Sequence, residues 1–171
     1  MKADTATSRN LLTEAIFETF EKMFFLFLEP TDRDPEGCDL ESAVQFKGFV
    51  GGRLEVFLPR NLAAAMVGNM LSCGTEDVTD AEIEDCAREA ANVICGSFLR
   101  RLDRRGDFNL STPSFRRVVG VDRNESEREG MIKVCFESDR GGLSVRAVLS
   151  EDQRPPSGSG AEEVYGHTVA R

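Results

Sequence analysis

Two pairs of alternating segments constrain the fold of this chain more than any other feature. Apolar and polar residues alternate through "SAVQFKGFV" and "GRLEVFLP", which meet at Gly51 and Gly52, and this pattern is typical of a β-hairpin. The segments "MIKVCFES" from 131 and "LSVRAVLS" from 143 form a second pair around the turn sequence "DRGG". Because a hairpin joins antiparallel strands, the sheet is predicted to be largely antiparallel.

Long helices are predicted to cover one face of this sheet. Residues 8–28 read as the first, with Ser8 as the N-cap, Pro30 as the stop, and a buried side made of Leu11, Ile16, Phe20, Met23, Phe24 and Phe27. A short helix is expected over residues 60–73. "TDAE" at 79–82 is a capping box, which opens a long third helix that runs to about Leu102.

The order of these elements predicts an α+β fold. A helix, a hairpin and two helices are followed by three strands, the first of which is "SFRRVVGV" from 114. Residues 31–41 are a polar stretch with proline and glycine, so we expect a loop there. One domain is predicted over residues 1–152. Residues 153–171, rich in glycine, serine and proline, are predicted to form a flexible tail.

Composition excludes several classes of function. The formal net charge is −9, which disfavours binding to nucleic acid despite the arginines of "RRLDRR" at 100–105. The five cysteines are odd in number and show no CxxC spacing, so we expect reduced thiols rather than disulfides or a metal site. The start of the chain lacks the apolar core of a signal peptide, and "MFFLFL" is too short to enter a membrane as a span. A cytoplasmic protein is therefore expected.

Nucleophilic catalysis by a cysteine has no support in the sequence. Cys86 and Cys95 lie in the third helix, but the one histidine, His167, falls in the predicted tail. A thiol nucleophile needs a base to activate it, and no histidine of the predicted domain can serve.

The third helix carries an unusual polar ridge. When residues are placed at about 100° steps, the side chains of Ile83, Ala87, Ala90, Ile94 and Phe98 share one side, which is the predicted buried stripe. Asp85, Glu89, Asn92 and Gly96 share the opposite side. Solvation of an exposed helix face explains such a ridge in most proteins. An amide and a carboxylate side by side, as in Asn92 and Glu89, can also take part in catalysis.

Phosphoryl transfer is one chemistry that this ridge could serve. An asparagine amide can accept a hydrogen bond from an attacking water and donate one to a phosphoryl oxygen. Positioning and charge neutralisation account for most of the catalysis of phosphoryl transfer, so a neutral residue that orients water is sufficient. Glu89 could pair with a lysine of a partner protein, and Gly96 would let the backbone of that partner come close.

These residues resemble the active-site signature of the CheC/CheX/FliY family of chemotaxis phosphatases, D/S-x3-E-x2-N. Asp85, Glu89 and Asn92 match it within "DCAREAANVICGSFL", and Gly96 and "FNLSTPSF" at 108–115 are also similar to the family. CheC-like members carry a second such motif on the first helix. Here "TEAIFETFEKMFF" has no asparagine at the required position, so a single motif resembles the CheX branch.

The resemblance implies a substrate and a division of roles. The substrate would be the aspartyl phosphate of a CheY-type response regulator, with Asn92 orienting the hydrolytic water and Glu89 contacting a lysine of the regulator. Gly96 would take part in docking, and Asp85 would either take part in docking or be a solvated carboxylate. The chain would need no cofactor of its own, because the regulator carries the Mg²⁺, and two copies would form a homodimer through their sheet edges. A non-catalytic adaptor that binds a regulator, or another signalling protein, remains the alternative.

Overall fold

The protein is described by a computed structural model that covers residues 4–104, 106–119 and 130–150. Its helices are α1 (Thr5–Met23), α2 (Arg60–Leu71) and α3 (Asp80–Leu102), with a 3₁₀ turn at Thr75–Asp77 before α3. Its strands are β1 (Glu29–Thr31), β2 (Leu40–Lys47), β3 (Gly51–Leu58), β4 (Asn109–Leu110), β5 (Ser114–Arg117), β6 (Met131–Glu137) and β7 (Leu143–Ser150).

All pairings within the sheet are antiparallel. The strand order is β1-β6-β7-β3-β2, and β4 and β5 follow one another along the outer side of β2. Val44 lies opposite Leu54, and Val56 lies opposite Val145, so the buried faces of the two predicted hairpins are in register. The α+β class with a largely antiparallel sheet is confirmed.

The core lies between this sheet and the helices. Alternate residues of the four longest strands point into it, and α3 packs against both other helices as well as β2, β3 and β5. Phe98 of α3 is fully buried. Burial of such a side chain contributes about 1.5–3 kcal/mol, so the inner side of α3 is anchored by its packing.

Helix α1 differs from the prediction at both ends. It begins at Thr5 with Asp4 before it, whereas Ser8 is an interior residue that is fully buried. Asp4 is of the capping type, but its side chain makes no capping hydrogen bond to the first turn. At the other end, α1 stops at Met23, five residues before the predicted end and well before Pro30.

The early end of α1 follows from the backbone at Phe25. Its φ of +54° is left-handed, and the N–H groups of Phe24 and Leu26 both donate to the carbonyl oxygen of Phe20. The chain then becomes extended, so Leu26 and Leu28 are buried while Phe25 and Phe27 are 67% and 80% exposed. Phe27 was predicted to be buried, and this was wrong, because a short apolar run fits a strand as well as a helix.

Smaller differences concern the strands. Residues 31–41 were predicted to be a loop, but Thr31 ends β1, and Leu40 and Glu41 begin β2. Helix α2 ends at Leu71 rather than at residue 73. The next residue, Ser72, adopts a left-handed conformation. Strand β5 ends at Arg117, earlier than predicted.

The predicted tail, 153–171, lies outside the described residues. In the part of the chain that is described, no helix is long and apolar enough to span a membrane.

Candidate functional site

The capping box at the start of α3 is confirmed. The Thr79 hydroxyl accepts a hydrogen bond from the Glu82 N–H at 3.3 Å, and the Glu82 carboxylate accepts one from the Thr79 N–H at 2.8 Å. This reciprocal pair satisfies two backbone donors that the first turn of a helix leaves free. The helix then runs for 23 residues to Leu102, as predicted.

The two sides of α3 are divided as the periodicity predicts. The five residues of the predicted stripe are all buried, namely Ile83, Ala87, Ala90, Ile94 and Phe98. On the other side, Asp85 and Glu89 are exposed, and Asn92 and Gly96 are half-buried. Asp85, Glu89, Asn92 and Gly96 therefore form one accessible ridge, called the α3 ridge below.

The central side chains of the α3 ridge have no partners of their own. Within residues 4–104, 106–119 and 130–150, neither the Glu89 carboxylate nor the Asn92 amide takes part in a hydrogen bond or an ion pair. Asp85 is 4.0 Å from a guanidinium nitrogen of Arg88, which is a loose ion pair. The ridge therefore presents one amide and two carboxylates whose hydrogen-bonding capacity is largely unused.

Ion pairs to other elements hold both ends of α3. At its start, Asp80 pairs with Arg60 of α2 at 2.5 Å and with Arg117 of β5 at 2.7 Å. Near its end, Arg101 pairs with Glu18 of α1 and donates to the Ser97 hydroxyl at 2.5 Å. Together with the packed stripe, these contacts fix the orientation of the α3 ridge relative to the rest of the domain.

Gly96 has no internal reason to be a glycine. It lies inside a long helix, where glycine is less favourable than alanine by about 0.5–1 kcal/mol. A Cβ atom added at this position would meet no atom within 4 Å. Internal packing would therefore accept alanine, and the absence of a side chain leaves the backbone of the α3 ridge open to an approaching molecule.

The thiols in α3 are not equipped for nucleophilic attack. Burial raises the pKa of Cys86 to about 12, and the nearby charge of Glu89 adds to this effect. Burial alone raises the pKa of Cys95 to about 12. Both thiols are therefore protonated at neutral pH. All five cysteines are free, but Cys73 is exposed.

Three arginines near the end of α3 and in β5 pair with carboxylates. Arg101 pairs with Glu18, Arg117 pairs with Asp80, and Arg116 pairs with Glu41. Glu41 is almost fully buried between Arg116 and Arg53, so this pair belongs to the fold. Among the described residues, no group of three or more Cys, His, Asp or Glu side chains could bind a metal ion.

The Glu18–Arg101 contact predicts a pH dependence of stability. A hydrogen bond from Lys22, followed by one from Arg101, lowers the pKa of Glu18 to about 2. Because the pKa of the folded state lies below that of the unfolded chain, this stabilisation is complete above about pH 4.5 and is lost as the pH falls towards 2. The side chain is 38% exposed, so solvent screening limits the contribution to about 0.5–1 kcal/mol.

The measurement is urea unfolding of wild type and Glu18→Gln at a series of pH values. We expect Glu18→Gln to lower the free energy of unfolding at pH 7, and we expect the difference between the two proteins to shrink below about pH 4.5 and to vanish as the pH falls through about 2. Glu21→Gln is the matched control, since Glu21 is exposed on the same helix. A difference between wild type and Glu18→Gln that does not change with pH would contradict the assignment.

Two residues at this site were missed by sequence reasoning. Arg88 pairs with Glu84 at 2.6 Å and lies beside the α3 ridge, and its spacing of four from Asn92 could have revealed it. Arg101 was considered only as one of the arginines of "RRLDRR", weighed for nucleic-acid binding. Its contact with α1 joins residues 83 positions apart, which no local pattern discloses.

The architecture is similar to that of several solved chemotaxis proteins. The CheX chemotaxis protein of Vibrio vulnificus superposes with a TM-score of 0.69 at 22% identity, covering 87% of this chain and 100% of that one. A CheX protein of Desulfovibrio desulfuricans gives 0.64 at 20% identity, with 84% and 99% covered. A crystal structure of a CheX–CheY–BeF₃–Mg²⁺ complex from Borrelia burgdorferi gives 0.62 at 18% identity, with 83% and 97% covered. The fold is therefore that of the CheX and CheC-like proteins.

Sequence comparison identifies the family. Residues 41–137, more than half of the chain, match the family described as chemotaxis phosphatase CheX. The chain therefore belongs to the CheX family, as the single motif on α3 predicts. The matched region contains the whole of the α3 ridge. No curated protein sequence matches the chain.

Proposed function

We propose that this chain is a phosphatase that removes the phosphoryl group from an aspartyl phosphate of a CheY-type response regulator. The observation that carries the proposal is the pair of Glu89 and Asn92, which are accessible and have no partner among the described residues, on a helix whose orientation is fixed. Membership of the CheX family supports the class of reaction. The Borrelia complex, in which CheX is bound to CheY, supports the class of partner.

The chemistry follows from the two groups of the Asn92 amide. Its oxygen accepts a hydrogen bond from the attacking water, and its nitrogen donates one to a phosphoryl oxygen. The water oxygen forms a bond to phosphorus on the side opposite the aspartyl oxygen, and the bond between phosphorus and that oxygen breaks. The products are inorganic phosphate, the free carboxylate of the regulator and a proton. A carboxylate in place of the amide would repel the phosphoryl group.

The remaining residues of the α3 ridge dock the partner. Glu89 pairs with a lysine of the regulator, and this contact sets the position of Asn92 one turn away. Asp85 extends the docking surface by another turn, and Gly96 admits the backbone of the partner. Mg²⁺ would be bound by the regulator, where it neutralises charge on the phosphoryl group. Such regulators act in the cytoplasm, and we propose the same location for this chain.

The test is binding and turnover with the response regulators of the same cell. We expect binding to a beryllofluoride-activated regulator with Mg²⁺ to be tighter than binding to the same regulator without beryllofluoride. We also expect the chain to accelerate the loss of the phosphoryl group from that regulator. Equal affinity for both forms of every regulator, with no acceleration, would contradict the proposal.

We propose in addition that two copies form a dimer through the edge of the sheet at β1. This strand ends the sheet, and the exposed Phe25 and Phe27 lie on the segment that leads into it. Large exposed aromatic side chains at a free edge are typical of an interface. Pro30 lacks an N–H group, so apolar contacts would contribute more than new strand hydrogen bonds.

The dimer predicts a result for a double variant. Phe25→Ser/Phe27→Ser should weaken self-association by about tenfold or more, since each buried aromatic contact contributes about 1–2 kcal/mol. Phe49→Ser is the matched control, because Phe49 is 54% exposed on the β2–β3 hairpin, away from this edge. Sedimentation velocity over a concentration series measures the change. A wild type that stays monomeric at high concentration, or equal effects of both variants, would contradict the interface.

A further inference from the structure

We propose that Arg88, beside the α3 ridge, is a partner-contacting residue, and that on docking its guanidinium leaves Glu84 and binds the anionic surface around the aspartyl phosphate. The inference rests on the proposed function and adds a cation to a site described so far by two carboxylates and an amide.

The position of Arg88 places it beside the reacting groups. It precedes Glu89 by one residue, and it precedes Asn92 by four, so Arg88 and Asn92 are neighbours on the surface of α3. Its side chain is 40% exposed. An arginine is long enough to move its guanidinium from one flank of a helix to the next without any change in the backbone.

The bonding of the guanidinium in the free protein is incomplete. Nη2 contacts the Glu84 carboxylate at 2.6 Å, but Nη1 is 4.0 Å from Asp85, beyond hydrogen-bond distance. Nε is buried and has no hydrogen-bond partner in the described part of the chain. Of the five N–H donors that an arginine offers, most are therefore unused before a partner arrives.

Charge explains why a partner would recruit this group. The phosphoryl group and the carboxylates that hold Mg²⁺ make the partner surface anionic. Asp85 and Glu89 are also negative, so the two surfaces repel each other. A guanidinium between them offsets the repulsion, and its planar fork matches phosphate and carboxylate oxygens. The contact with Glu84 is an exposed i,i+4 pair. Such a pair favours the bound position of the guanidinium over a free one by only about twofold, so the contact is readily exchanged.

The experiment compares three variants in the assay of phosphate loss from a phosphorylated regulator with Mg²⁺. Arg88→Ala should lower kcat/KM about tenfold, mainly through KM, because the docking contact is removed. Arg88→Lys should recover part of this loss, since it restores the charge without the fork. Glu84→Gln should raise kcat/KM by up to about twofold, because it releases the guanidinium. The effect of Arg88→Ala should shrink at high salt.

Glu84→Gln also serves as the structural control. It breaks the same helix pair as Arg88→Ala, so a purely structural role for that pair predicts equal losses, whereas docking predicts changes of opposite sign. Equal losses would overturn the inference. So would an Arg88→Ala protein within twofold of wild type while Asn92→Ala is inactive, and that result would leave the proposed function standing. A wild type without activity towards any regulator of the cell would overturn both.

Discussion

Replacement of Asn92 by alanine should abolish the acceleration of phosphate loss while binding to the activated regulator is retained. We expect kcat to fall by about 10²–10³-fold, the usual effect of removing one preorganised group that acts on the transition state. The α3 ridge keeps Glu89, Asp85 and Gly96 in this variant, so the affinity should change little. Quenched-flow or fluorescence measurement of the decay gives kcat, and titration with the beryllofluoride complex gives the dissociation constant.

Two further variants separate water orientation from simple polarity. Asn92→Asp has the same size, but it replaces the donor with a negative charge, so it should be as inactive as alanine. Asn61→Ala removes an exposed asparagine from α2 and should leave the rate unchanged. Because Asn92 has no hydrogen bond within the described residues, its loss should not lower the melting temperature. An Asn92→Ala protein with wild-type kcat would contradict the assigned role.

Substitutions at Gly96 should separate stability from function. Gly96→Ala should raise the free energy of unfolding by about 0.5–1 kcal/mol, because alanine favours the helix and its Cβ meets no atom within 4 Å. Gly96→Leu should also fold, since its side chain projects from an open surface. It should nevertheless lower kcat/KM by about 10²-fold, because a side chain there would displace the docked partner by about an ångström or more.

Gly68 offers a matched contrast within the same domain. It also lies inside a helix, but a Cβ atom at this position would come within 2.9 Å of the Cys73 carbonyl oxygen. Gly68→Ala should therefore destabilise the protein, whereas Gly96→Ala stabilises it. Thermal and urea unfolding measure both changes. A Gly96→Leu protein with full turnover would show that no partner approaches this part of α3.

Helix α3 could be predicted almost completely from sequence because its determinants are local. The capping box at Thr79 and Glu82 lies within four residues, and the buried stripe repeats at the period of the helix. The α3 ridge followed from the same geometry, so the candidate site was available without tertiary information. The roles of the residues in the α3 ridge do not follow from helix geometry, because they depend on the proposed partner.

The end of α1 could not be predicted because its determinants are tertiary. The run "FFLFL" at 24–28 suits either a helix or a strand by composition. Pairing of Pro30 with Phe136 of β6, more than 100 residues away, draws this segment into the sheet. The left-handed residue in this turn is Phe25 rather than a glycine, so the sequence contains no signal that predicts the turn. Phe25 and Phe27 consequently became exposed, and the candidate dimer edge was invisible in the sequence.

The electrostatic support of the site was also beyond local reasoning. Arg101 lies within the basic segment at 100–105, which was weighed from the sequence only for nucleic-acid binding. In the structure it reaches Glu18 of the first helix, a contact between residues 83 positions apart.

The phosphatase activity is tested most directly by the turnover of a phosphorylated regulator in the presence of a substoichiometric amount of this chain. The regulator is phosphorylated with a small-molecule donor in the presence of Mg²⁺, the donor is removed, and inorganic phosphate is followed with time. A phosphatase predicts an initial rate proportional to the concentration of the chain and many phosphates released per chain. A decay that is unchanged, or slowed by stoichiometric binding, would contradict the account and would favour a non-catalytic adaptor.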